Sequence, residues 1–185
     1  MTGERARLFV ALELPDEARS ELVAWRAGVV ELTPAWRVVP AESLHVTLCF
    51  LGDVPAEAIA AIGAACSELV DRAYGDGIPL VLADPLRLPP RRPRVLTVAI
   101  ADRDGRLAAL QGELSAALAR AGWYEPGARP FLAHVTVARV RAADRIRPLE
   151  LEPPHAVAFT GSTVTLYRSR PGSRYEPLRR LSICA

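Results

Sequence analysis

The sequence predicts a mixed fold of strands and helices in which two similar lobes face each other across a shared cleft. Three observations predict it. A strand–helix–strand pattern opens twice, at "RLFVALELPDE" (Arg7 to Glu17) and at "RVLTVAIADRD" (Arg94 to Asp104). The next long strand after each opening carries a His-x-Thr phrase in an apolar setting: "ESLHVTLCFLG" holds His45 and Thr47, and "PFLAHVTVARV" holds His134 and Thr136. The spacing matches as well, with 38 residues from Arg7 to His45 (45 − 7) and 40 from Arg94 to His134 (134 − 94). The repeat units run approximately over 7–52 and 94–140. No linker is long enough to divide the 185 residues into independent domains, so residues 1–185 read as a single bilobal domain.

The elements follow in order. Leu8 to Leu14 is short, apolar and partly alternating, the pattern of a strand. Pro15 with Asp16 and Glu17 behind it starts a helix, because proline suits the first turn and acidic groups suit its positive end. Ala18, Leu22, Trp25 and Val29 then recur at helical spacing and form its core stripe. Pro34 and Pro40 interrupt, and the strand with His45 follows. Pro55 opens a second helix with Ile59, Ile62, Cys66, Leu69 and Val70 on one side, and Gly75 and Gly77 end it. "IPLVLADPLRL" and "RVLTVAI" read as strands separated by "PPRRP". Asp104 begins a third helix, whose stripe is Leu107, Leu110, Leu114, Leu118 and Ala121 and whose stop is Gly122. After the second His-x-Thr strand and an arginine-rich stretch, Val157 to Tyr167 and Tyr175 to Ile183 give two further strands.

Half of the residues are apolar and 24% are charged, which is ordinary for a globular chain, and a net charge of +2 provides no overall field for nucleic acid or membrane. All 23 basic residues are arginine. Any anion met by a basic side chain therefore meets a guanidinium, which can bond two phosphate oxygens at once. The first apolar run is broken by Glu13 and is too short for a signal peptide or a membrane span. Cys49, Cys66 and Cys184 form no paired spacing, so a disulfide framework is not indicated and a reducing cytoplasm fits.

The two His-x-Thr phrases carry the chemistry. Side chains alternate on a strand, so His45 and Thr47 share one face while Leu44, Val46 and Leu48 take the other. His134 and Thr136 share a face in the same way, with Val135 and Val137 turned to the core. Histidine titrates near neutral pH, so one ring can act as base while the other acts as acid. A threonine hydroxyl can donate to an oxyanion. Two imidazoles and two hydroxyls around one point suit transfer of a phosphoryl group to water without a metal or other cofactor. A single strand histidine is more often a hydrogen-bonded structural residue; the repetition in matching settings is what favours chemistry.

These residues resemble the two-histidine (2H) phosphoesterases, and within them the RNA 2′,3′-cyclic phosphodiesterases, also called 2′-5′ RNA ligases. The resemblance spans nearly the whole chain, through "RLFVALELP", "LHVTLCFLG", "RPFLAHVTVAR" and "LYRSRPGSRYEPL". It departs at Ala133, where the family often has proline. It implies an α+β fold of two antiparallel sheets facing across a cleft, with helices outside. It also implies hydrolysis of an RNA 2′,3′-cyclic phosphate to a 2′-phosphate, with 2′-5′ ligation as the reverse activity. The implied substrates are RNA ends with a cyclic phosphate, whether of tRNA fragments or of other cleaved RNAs. A monomer is expected separately, because two lobes that face each other already cover one another. Carried over, His45 and His134 are the acid–base pair; we assign His45 as the acid to the leaving 3′ oxygen and His134 as the base toward water, the alternative in a pseudo-symmetric site being the reverse. Thr47 and Thr136 bind the phosphate. Arg139 matches a family position near the phosphate, although five residues separate it from His134 and a regular strand turns it to the opposite face. It reaches the cleft only if the strand ends or bulges between them.

Other residues are weaker candidates. Alternation puts Cys49 on the His45 face, but four strand residues span roughly 13 Å, so only His134 comes into its reach. His155 reads as a surface loop residue. Trp36, Trp123, Tyr124, Phe131 and Tyr167 are candidates to stack a base at the cleft rim, with core packing the alternative for each. "PPRRPR", "RVRAADRIR" and "RSRPGSRYEPLRR" are candidate RNA-guiding clusters or solvated loops. Three other functions stay open on sequence: the same chemistry on a small cyclic nucleotide or ADP-ribose cyclic phosphate, a histidine-liganded metal hydrolase, and an RNA-binding module without turnover.

Overall fold

The computed structural model of the chain describes residues 4–32, 35–70, 75–90, 92–141, 150–172 and 174–183. In chain order they form β1 (Arg5–Glu13), α1 (Asp16–Leu32), β2 (Trp36–Val38), β3 (His45–Pro55), α2 (Ile59–Val70), β4 (Ile78–Leu88), β5 (Val95–Ala101), α3 (Arg106–Arg120), β6 (His134–Val140), β7 (Ala158–Gly161), β8 (Thr163–Arg170) and β9 (Arg174–Ser182). The strands run β7-β4-β5-β6-β3-β1-β8-β9, with β2 also paired to β6. Outward from the middle, the two arms are β3-β1-β8-β9 and β6-β5-β4-β7, each with antiparallel neighbours. Between β3 and β6 the ladder has one pair, Val46 with Val135. The two histidine strands are therefore the innermost strands of two half-sheets that meet at a single seam.

The helices cover the face that alternation makes apolar. α3 packs on β3 and on α2, and α2 packs on β9, while α1 covers β2, β6 and β7 of the other arm. Leu107, Leu110, Leu114 and Leu118 are fully buried, as the spacing of α3 predicts. In α1, Ala18, Leu22 and Val29 are buried, but Trp25 is only half-buried and its indole N–H donates to the Glu152 carbonyl. The buried side chain on that turn is instead Arg26, whose guanidinium donates to the Val39 and Val137 carbonyls. Its aliphatic stem packs like an apolar residue while its head meets strand carbonyls.

Four elements differ from the sequence reading. The second helix opens at Ile59 and not at Pro55, because β3 runs on through Pro55 and a single 3-10 turn, Ala56–Ala58, precedes the helix. β1 begins at Arg5, because alternation there continues with charged residues on the exposed side. The short strand Trp36–Val38, which pairs with the end of β6, is too brief to give a periodic signal. The apolar run Val157 to Tyr167 is two strands, broken at Ser162, so that β7 joins β4 while β8 joins β1. The arginine-rich stretch from 142 on, Arg91 and Cys184 lie outside the described residues.

Candidate active site

The seam sets the histidines together. With Val46 opposite Val135, antiparallel register brings His45 opposite Thr136 and Thr47 opposite His134, all on the face away from the buried valines. Diagonal neighbours in such a ladder lie about 7–8 Å apart, which leaves room for one phosphate between two inward-turned rings. Each ring is fixed in the same way. His45 Nδ1–H donates to the Ser43 carbonyl at 2.8 Å, and His134 Nδ1–H donates to the Leu132 carbonyl at 2.7 Å. A carbonyl can only accept, so Nδ1 carries the proton and both Nε2 atoms are left for the cleft. Thr47 Oγ1 lies 3.1 Å from His45 Nε2 and donates to it. Thr136 is half-buried on the same strand face as His134.

Both histidine strands then break their alternation one residue past the threonine. Along β3 the partner strand steps from Thr47 to Cys49, leaving Leu48 extra. Along β6 it steps from Thr136 to Ala138, leaving Val137 extra. An extra residue reverses which face the following side chains take. Leu48 and Cys49 are accordingly both buried, as are Val137 and Ala138. Arg139 is turned to the cleft, where it meets the condition that the sequence set for it. The same device overturns the placement of Cys49 on the His45 face. Its side chain lies in the core, where burial pushes the thiol up to about 12.

His45 stands in an aromatic box. Phe9 stacks on it with centroids 4.9 Å apart, Tyr175 meets it edge-on at 5.2 Å, and Tyr167 lies 6.2 Å away. Tyr167 is held from behind, its hydroxyl donating to Glu13 Oε1 at 2.9 Å beside Thr165 and Arg180. Burial in this box pushes His45 down to about 4, against the pull of its bond to the Ser43 carbonyl and with the guanidinium of Arg139 acting in the same direction as burial.

Two recesses open from the seam. The smaller, about 330 Å³, is bounded by His45, Arg7, Arg139, Ser169 and Tyr175. The larger, about 940 Å³, is bounded by His134, Tyr124, Phe131, Leu88 and Pro89 among others. Thr47 and Phe50 border both. Of the aromatic candidates, Tyr124 and Phe131 border the larger recess, Tyr167 packs near His45, and Trp36 is core. Trp123 packs half-buried against the core, and exposed His155 pairs with Glu21 at 3.0 Å. Sequence reasoning missed Phe9, Phe50, Tyr175 and Arg7. Phe9 lies inside an all-apolar run, and Phe50 needs the bulge to reach the cleft. Among the described residues no three His, Cys, Asp or Glu side chains gather as a ligand set.

Comparison with known proteins places the chain in a family. A model of the 2'-5' RNA ligase superfamily matches residues 14–179. The chain is 34% identical over 186 residues to the RNA 2',3'-cyclic phosphodiesterase of Escherichia coli strain K12, covering 98% of each chain. Among solved structures, E. coli LigT complexed with 3'-AMP superposes with a TM-score of 0.79 at 33% identity, covering 97% of this chain and 98% of that one. TT0787 of Thermus thermophilus superposes with a TM-score of 0.80 at 26% identity, covering 96% and 97%. Fold and relatives together define an enzyme of the phosphoesterase class. The chain belongs to the 2'-5' RNA ligase superfamily, the family that its two His-x-Thr phrases resemble.

Proposed function

We propose that the chain is an RNA 2′,3′-cyclic phosphodiesterase that opens the terminal cyclic phosphate to a 2′-phosphate without a metal. The observation that carries this reading is the Val46–Val135 register, which puts each histidine beside the other strand's threonine with both Nε2 atoms free of backbone partners. Water attacks phosphorus as the bond to the 3′ oxygen breaks. His134 Nε2 takes the proton of the water, and protonated His45 gives its proton to the leaving oxygen. Thr47, Thr136 and Arg139 hold the non-bridging oxygens, whose charge must be met throughout.

Burial works against a protonated His45, pushing its pKa down to about 4. The substrate supplies what the cleft lacks. A cyclic phosphate is an anion, and a negative charge within hydrogen-bonding distance favours the imidazolium. Once Nε2 is protonated it no longer accepts from Thr47, whose hydroxyl then turns to a phosphate oxygen. His45 is charged, on this reading, by the molecule that it acts on.

We place the enzyme in a reducing cytoplasm, consistent with the free, buried thiols of Cys49 and Cys66. We take it as a monomer acting on cleaved RNA ends, including those of tRNA. No helix among the described residues is long and apolar enough to cross a membrane. The test is hydrolysis of an oligoribonucleotide ending in 2′,3′-cyclic phosphate, in excess chelator. The parent is active, and His45→Ala and His134→Ala each lose on the order of a hundredfold or more. A chelator-sensitive parent points to a metal hydrolase instead, and RNA binding with no turnover of any cyclic end points to a binding module.

A further inference from the structure

Glu13 is a half-buried carboxylate for which the proposed reaction has no use. It ends β1 opposite His45 in the β1–β3 register, yet its hydrogen bonds run the other way, to β8 and β9. Thr165 Oγ1 donates to Glu13 Oε1 at 2.7 Å, the Tyr167 hydroxyl at 2.9 Å and Arg180 Nε at 2.9 Å. Burial raises this carboxyl, but the donations from Thr165, Arg180 and Tyr167 outweigh it and hold the group below the ordinary carboxylate range. Burial, with the carboxylate beside it, pushes Tyr167 up to about 12, so the hydroxyl keeps its proton and stays a donor. The bond between them is therefore a charge-assisted tie.

That tie ends on a stack of rings. Tyr167 lies on Phe9 with centroids 5.2 Å apart and planes at 18°, and Phe9 lies on His45 at 4.9 Å and 29°. Tyr175 closes the stack edge-on against both Phe9 and His45. The bond from Nδ1 to the Ser43 carbonyl fixes one corner of the imidazole and leaves it able to tilt about that corner. The stack opposes the tilt, and Glu13 pins the stack at its far end. Neither Glu13 nor Tyr167 borders either recess, so neither acts by touching the substrate. The ring contacts among the described residues gather on His45, and none involves His134.

We propose that Glu13 is a positioning residue for His45, acting through the Tyr167 hydroxyl and the Phe9 ring to keep Nε2 aimed at the leaving oxygen. The proposal rests on the phosphodiesterase reading above and extends it from the reacting ring to the group that aims it. A proton donor must come within hydrogen-bond reach of the atom it serves, and a misplacement of about 1 Å costs on the order of a hundredfold in rate.

The experiment measures kcat and KM on an oligoribonucleotide ending in 2′,3′-cyclic phosphate, together with histidine-selective ¹⁵N NMR of each free protein. Tyr167→Phe removes one hydroxyl and keeps the ring. It lowers kcat by about tenfold, a part of the penalty for a misplaced group, and leaves KM unchanged. Glu13→Ala does the same. Glu13→Gln recovers most of the loss, because an amide oxygen still accepts from Tyr167 and Thr165. The double variant, Glu13→Ala with Tyr167→Phe, loses no more than Glu13→Ala alone, as two parts of one device must. The His45 ring signals move in Tyr167→Phe and Glu13→Ala while those of His134 stay. Parental kcat in Tyr167→Phe, additive losses in the double variant, or lost activity with unmoved His45 signals each overturn the positioning role. A parent that hydrolyses no cyclic end overturns the phosphodiesterase reading, and the NMR then decides the positioning alone: moved His45 signals sustain it and unmoved ones end it.

Discussion

Phe50 and Arg139 occupy equivalent places in the two halves of the cleft. Each follows its histidine by five residues, and each is turned inward by one extra residue after the threonine. The backbone is thus close to symmetric about the seam while its chemistry is not, with a phenyl ring on one side and a guanidinium on the other. Arg7 adds to the difference, its guanidinium carbon 4.9 Å from the centre of the Phe50 ring.

Of this pair only Arg139 carries a charge, and in the proposed reaction that charge meets the phosphate. Arg139→Ala is expected to raise KM for a cyclic-phosphate oligonucleotide by about tenfold or more, the scale of one charge-assisted hydrogen bond. Arg139→Lys restores part of this at most, because an ammonium cannot repeat the two-pronged bond. Steady-state kinetics on the two variants check both statements; equal recovery by lysine contradicts the two-pronged contact.

Arg26 holds the bulge that turns Arg139 inward. Its guanidinium lies 3.5 Å from the carbonyl of Val137, the extra residue itself, and also bonds the Val39 carbonyl. Arg26→Met keeps the stem and removes the head. A loss of about 2 kcal/mol is expected from charged hydrogen bonds left unmade, measured as a lower urea midpoint at unchanged slope.

The pH dependence of stability has a definite sign. His45 is held at about 4 in the fold against an ordinary value of 6.5. Between these values the unfolded chain binds more protons, so the contribution is complete above 6.5, declines as pH falls through this window, and is gone below the folded value. His45→Asn therefore loses less stability between pH 6.5 and 5 than the parent does, as followed by thermal melts. An equally steep parent and variant contradicts a neutral, buried ring.

Cys49 should be chemically silent. Its thiol is buried and pushed up to about 12, and that of Cys66 to about 11, so neither offers a thiolate near neutral pH. Mass spectrometry after iodoacetamide treatment of the folded protein is expected to find both unmodified, with labelling appearing in denaturant. Cys49→Ser is expected to keep the parental pH profile of kcat, which a thiol acting with a histidine would not allow.

Much of this site was legible because strand alternation and repetition are local signals. The two His-x-Thr phrases name four residues that share a face, and the matched spacing implies that the two strands play equivalent parts. What alternation cannot reveal is where it fails. The extra residues Leu48 and Val137 look like any apolar strand residue, yet they send Cys49 to the core and bring Phe50 and Arg139 to the cleft. The aromatic box was hidden for a related reason. Phe9 sits in the stretch Leu8–Leu12 of β1, which is buried on both faces, so that stretch is uniformly apolar and marks no side. Tyr175 reaches His45 through the β8–β9 hairpin, a long-range pairing without a short motif. Arg26 ran against the rule that charge belongs outside, and only the carbonyls it meets explain its burial.

The central claim is that the two imidazoles meet on one phosphate, and histidine-selective ¹⁵N NMR during titration with a nucleoside 2′-phosphate tests it most directly. The account predicts that the ring signals of both His45 and His134 shift along one binding isotherm, with His45 gaining a proton on its Nε2 at a pH where the empty protein leaves it neutral. A titration in which only one ring responds, or in which the two respond with different dissociation constants, would contradict it.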